Sequence, residues 1–114
     1  MKFSTTLKKN HEFRRLYSKG KSVASPLFAV YCNKNRRLAN RIGITVSTKL
    51  GNAVQRNRIR RRLREVYRLN EDKLKAGFDI VIVARFKSKY AEFRELEADF
   101  LRICRRLGLC GDAD

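Results

Sequence analysis

RIGITVSTKLGNAVQRNRIRRRLREVYR, residues 41–68, changes its hydrophobic period partway along, and that change decides the fold. In residues 41–47, Ile42, Ile44 and Val46 alternate with Gly43, Thr45 and Ser47, the period of a strand with one apolar face. Gly51 and Asn52 then mark a helix start, and the helix should run to Asn70. At about 100° per residue, Ile59, Leu63 and Val66 fall within roughly 60° of arc, with Tyr67 at the edge. That narrow seam docks on the rest of the domain. Asn57, Arg61, Arg64 and Arg68 lie opposite it, flanked by Arg58 and Arg60, while Arg56 and Arg62 sit nearer the boundary.

Working outward, Asn10 can cap a first helix with Phe13, Leu16 and Tyr17 on one face and Gly20 as its stop. An edge strand is expected around Val23, and Pro26 leads into a strand over 27–32. Residues 34–40 are polar and read as a hairpin loop. After the break at Ala76 and Gly77, residues 79–85 are apolar on both faces, as in an interior strand. A last helix over 90–107 carries the stripe Phe93, Leu96, Phe100, Ile103, Cys104 and Leu107, with Gly108 as its cap. The order α-β-β-β-α-β-α implies one α+β domain over 1–114, a two-layer α/β sandwich of about four mixed strands with helices packed on them.

Residues 51–68 hold seven arginines and one glutamate. Pairs such as 56/60, 58/62, 60/64 and 64/68 set like charges one turn apart, a repulsion of about 1–3 kcal/mol in all. Glu65 relieves only part of it, and a solubilising face would mix its signs more evenly. The whole chain has 28 Lys and Arg against 11 Asp and Glu, a net charge of +17, so polyanions are its natural partners. The exclusive use of Arg suits phosphate, which its planar fork grips in a bidentate way. A solvated charged face is the plain alternative. No apolar run is long enough to span a bilayer, and no secretory signal follows Met1 and Lys2. Cys32, Cys104 and Cys110 lack metal-ligand spacing and read as reduced cytoplasmic thiols.

RIGITVSTKLGNAVQRNRIRRRLRE (41–65) resembles the segment that marks the protein subunit of bacterial ribonuclease P. LKKNHEFRRLYSKGKSVA (7–24), FAVY (28–31) and GFDIVIVAR (77–85) extend the resemblance over most of the chain. Thr48 departs from the usual lysine and Arg60 replaces another, keeping the charge. The resemblance implies an accessory subunit of an endoribonuclease whose catalyst is an RNA, removing the 5′ leader of precursor tRNA with Mg²⁺ bound chiefly by RNA and substrate. It implies contact with that RNA through Arg56, Asn57, Arg58, Arg60, Arg61, Arg64 and Arg68. It places the leader in a cleft formed by Phe13, Tyr17 and Tyr31, where bases stack with little sequence demand. It also implies a left-handed β-α-β crossover, against the usual hand, a cytoplasmic location, and no required protein partner.

Other readings stay open beside the resemblance. Asn57 can hydrogen-bond a base or metal-bound water, or simply face solvent. Periodicity alone would pack Phe13 on the sheet, whereas Phe28 points to the opposite face from Tyr31 and belongs to the core. Lys8, Lys9, Arg14 and Arg15 can meet phosphates or water. His11 is the single histidine and has no carboxylate cluster around it, so no catalytic or metal-binding residue is expected. A general RNA-binding protein would use the same ridge, a protein-only nuclease would need a site not evident here, and DNA binding lacks a helix-turn-helix partner.

Overall fold

A computed structural model describes residues 4–111, and the ends of the expected 1–114 domain lie outside the described residues. Among the described residues, five strands form one mixed sheet: β1 (Ser4–Thr6), β2 (Lys21–Ala24), β3 (Phe28–Lys34), β4 (Asn40–Thr45) and β5 (Phe78–Ala84), in the order β1-β4-β5-β3-β2. β4 pairs in parallel with both β1 and β5, while β5 with β3 and β3 with β2 are antiparallel. Three helices pack on this sheet: α1 (Asn10–Lys19), α2 (Ala53–Asn70) and α3 (Phe93–Arg106). The α+β class is as expected from the pattern, with β1 as a fifth strand.

The loop after β3 is not a hairpin loop. β5 inserts between β3 and β4, with Tyr31 and Gly43 both paired to Val81 from opposite sides. The apolar character of β5 on both faces follows from that central place. Ile80 and Ile82 join Phe28, Val30, Ile42 and the buried sides of α2 and α3 in the larger core. Val81 faces the other way, toward Leu7 and Leu16, with Phe13, Tyr31 and Val83 packed around them. The helices thus take both faces, α1 on one and α2 with α3 on the other.

The seam of α2 is as its spacing requires: Ile59, Leu63, Val66 and Tyr67 are buried. Burying Ile59, Leu63 and Val66 contributes roughly 1.5–3 kcal/mol each. This outweighs the like-charge repulsion along the outer face. Asn52 caps the helix, accepting from the Gln55 amide at 2.9 Å while Gln55 Oε1 accepts from the Asn52 amide at 3.0 Å. Before it, Gly51 has φ +145°, a backbone conformation that side chains disfavour. Asn10 does not cap α1; Lys9 holds that position and Asn10 is the first helical residue. α3 starts at Phe93 because residues 86–89 form a separate 3₁₀ turn.

Two polar clusters hold the layers in register. The Tyr67 hydroxyl lies 2.6 Å from Ser4 Oγ and accepts from Asn40 Nδ2 at 3.4 Å, tying β1 and β4 to α2. On the other face, Arg41 donates to Asp79 through Nε at 2.8 Å and Nη2 at 2.6 Å, and also pairs with Glu12 of α1. Hydrogen bonding to Asp79 raises the Arg41 pKa, against the cost of burial, and Glu12 adds to it. The fork therefore stays charged and clamps the start of α1 over β4 and β5.

Candidate nucleic-acid interface

α2 turns a cationic ridge outward. Asn57, Arg58, Arg61, Arg64 and Arg68 are exposed, whereas Arg56 and Arg60 are half-buried at the flanks. Several of these groups are oriented by neighbours. Arg60 Nη1 donates to Asn57 Oδ1 at 3.0 Å, so Asn57 positions an arginine in addition to presenting its own amide. Arg56 Nε donates to the Gly51 carbonyl at 3.2 Å. Arg68 grips Glu65 through two nitrogens, at 3.0 and 2.5 Å, which lowers the Glu65 pKa. Arg68 is therefore the ridge member most neutralised within the chain, and Arg61 has no hydrogen-bond or ion-pair partner among the described residues.

Arg62 is different from the rest. It donates to the main-chain carbonyls of Ser88 at 3.3 Å and Ala91 at 2.5 Å. Burial lowers its pKa and the nearby Arg58 lowers it further. Its work is to fasten the start of α3 to α2.

The aromatic residues meet beside α1. The Tyr17 and Tyr31 rings are edge to face, with centroids 5.0 Å apart, and the Tyr17 hydroxyl lies 2.9 Å from Thr45 Oγ1. Phe13 packs over Gly43, where an added Cβ would come within 2.6 Å of its ring. Phe13 thus rests on the sheet and also lines a surface groove. One hollow is walled by Asn10, Phe13, Arg14, Tyr17 and Thr45. A second, of about 240 Å³, runs from Phe13 and Leu7 over Gly43 and Ile44 to Arg60 and Arg64. Arg60 and Arg64 also line the outward hollow with Asn57, Arg61 and Val54.

The groove exists because β1 is short. It ends at Thr6, opposite Ile42, so from Gly43 onward β4 has β5 on one side and, among the described residues, no strand on the side of β1. Sequence reasoning missed Gly43 and Thr45 as parts of this site, although strand alternation already put both on the face away from the larger core. It also missed Arg41, whose partners lie 29 and 38 residues away in the chain. Of the remaining residues, Lys8, Lys9, Arg14 and Arg15 are exposed, Arg14 on the wall of the groove, and His11 is exposed on α1. Tyr31 lies half-buried behind Tyr17.

Among the described residues, no group of three or more His, Cys, Asp or Glu side chains could hold a metal ion. Two acidic groups on the α1 side of the sheet, Glu12 and Asp79, are bound to Arg41. No helix of the described residues is long and apolar enough to cross a membrane.

Comparison with known proteins identifies the family. The family model for ribonuclease P matches residues 1–108. The ribonuclease P protein component of Alkaliphilus metalliredigens is 44% identical over 109 residues, 96% of this chain and 98% of that one. The counterpart from Clostridioides difficile is 43% identical, over 93% of this chain and 96% of its own. Among solved structures, the RNase P protein of Staphylococcus aureus superposes with a TM-score of 0.83 at 34% identity, covering 93% of this chain and 97% of that one. That of Thermotoga maritima gives 0.81 at 31%, covering 89% and 96%. With its ridge, its groove and a match that runs nearly end to end, the chain belongs to the ribonuclease P protein family and is a protein component of that enzyme.

Proposed function

We propose that the two surfaces divide the RNA between them: the ridge of α2 holds the catalytic RNA, and the groove beside α1 holds the single-stranded 5′ leader of precursor tRNA. The observation that carries this reading is the double position of Arg60 and Arg64, which line the groove and the ridge at once. A leader lying over Phe13 would meet the same guanidinium groups that face the catalytic RNA, so the two RNAs would approach each other at the flank of α2. Stacking on Phe13 and Tyr17 asks for no particular base. Hydrolysis, and the Mg²⁺ it requires, we assign to the RNA subunit and substrate. The work would take place in the cytoplasm, where bacterial tRNA precursors are processed.

Reconstitution with a bacterial ribonuclease P RNA tests the proposal. Adding the protein should lower the Mg²⁺ needed for cleavage and favour precursor over mature tRNA. Tyr17→Ala should reduce that preference while leaving affinity for the RNA subunit unchanged. Equal affinity of the wild-type protein for precursor and mature tRNA would defeat the leader groove and leave a general RNA-binding protein.

A further inference from the structure

We infer that the segment Arg85–Tyr90, RFKSKY, is a second stacking platform, on which unpaired bases of the RNA subunit rest. The inference depends on reading the α2 ridge as an RNA surface, and it adds a contact on the flank of α2 that carries Arg62.

Phe86 and Tyr90 are 55% and 70% exposed, so neither belongs to the core. Their rings meet edge to face with centroids 5.6 Å apart, and Lys89 Nζ sits 5.4 Å from one centroid and 5.7 Å from the other. Arg85 and Lys87 are exposed in the same segment. Two open rings interleaved with four-atom and longer cationic arms match what single-stranded RNA presents, flat bases on an anionic backbone.

The platform is rigid. Ser88 Oγ donates to the Arg85 carbonyl at 2.7 Å and is buried, and Arg85 Nη1 donates to the Ser25 carbonyl at 3.1 Å. Arg62 fastens the turn to α2 through Ser88 and Ala91. Bases can therefore stack without first ordering a loop.

Arg62 joins the turn to the ridge. At about 100° per residue, Arg60 and Arg62 leave α2 on opposite flanks. Arg60 borders the groove, Arg62 holds the aromatic turn, and the ridge of Asn57, Arg61 and Arg64 lies between them. An RNA seated on the ridge would reach the turn across the Arg62 flank of α2.

The chain has no tryptophan, so Phe86→Trp installs a single reporter at an exposed site. Titrating it with a bacterial ribonuclease P RNA should quench the emission in step with binding. Phe86→Ala with Tyr90→Ala should weaken binding of that RNA roughly 5- to 150-fold for each stacked base lost, leaving the precursor-to-mature preference at its wild-type value. Saturable binding with unchanged tryptophan emission would overturn the platform while leaving the ridge intact. An emission shift on anionic phosphatidylglycerol vesicles but not on RNA would overturn it in favour of a lipid surface. Failure of the wild-type protein to bind the RNA at all would remove the ridge, and the platform with it.

Discussion

Arg61→Ala and Arg62→Ala delete the same charge from neighbouring positions, yet their effects should separate cleanly. Arg61 is exposed and unpartnered among the described residues. Its removal relieves like-charge contacts with Arg58 and Arg64 and forfeits one with Glu65, so stability should stay within about 0.5 kcal/mol of wild type. What it loses is a phosphate contact: roughly 10- to 150-fold in affinity for the RNA subunit, and a flattening of the log affinity against log salt plot by about 0.7–0.9. Arg62 spends its fork on two main-chain carbonyls. Hydrogen bonds from a charged donor, partly exposed here, put the loss at about 2–4 kcal/mol, on the order of 10 °C in Tm for a domain of this size. Its salt slope should stay near wild type, because any affinity it loses through the loosened turn comes from stacking and not from released counterions. Thermal unfolding and a salt titration of RNA binding on both variants form the assay. If Arg62→Ala melts like wild type and flattens the slope as Arg61→Ala does, the division of the ridge into binding and fastening arginines is wrong.

Two further outcomes follow from packing and protonation. Gly43→Ala places a methyl group 2.6 Å from the Phe13 ring, and the overpacking should cost about 1–3 kcal/mol; calorimetry should record the loss, and binding assays should find precursor preference reduced with RNA-subunit affinity retained. Burial raises the thiol pKa values of Cys32 and Cys104 and the phenol of Tyr67. An unfolded thiol ionises near about 8.5, before the folded one, so the unfolded state holds fewer protons above that pH. Stability should therefore fall as pH rises past it, by up to about 1.4 kcal/mol per unit for each thiol. Urea unfolding between about pH 7 and pH 10 should show the decline, shallower in Cys104→Ala; a flat profile would refute it.

How much could be read in advance depended on whether the deciding interactions were local. The α2 seam of Ile59, Leu63, Val66 and Tyr67, its Asn52 cap and the outward arginines all follow from a repeat within one helix. The interior place of β5 was legible because both of its faces are apolar. β1 was not, since Ser4–Thr6 is polar and too short to alternate; only pairing with β4 and the Ser4–Tyr67 contact make it a strand. The insertion of β5 between β3 and β4 is likewise invisible locally, for the loop over 35–39 would serve a hairpin equally well. At the site, the arginines were readable from their spacing, while the fastening role of Arg62 and the Arg41 clamp depend on partners at least 26 residues away.

The sheet's middle strand is the last one the ribosome makes. Until residues 78–84 emerge, β3 and β4 have no strand to join them, and α2 has no complete floor to dock on. Assembly of the sheet therefore waits for nearly three quarters of the chain, and the larger core waits longer still, for Leu96, Phe100 and Ile103 of α3. In the interval the nascent polypeptide carries its arginines unfolded past ribosomal RNA, and whatever keeps it from lingering there must act before the final strand arrives.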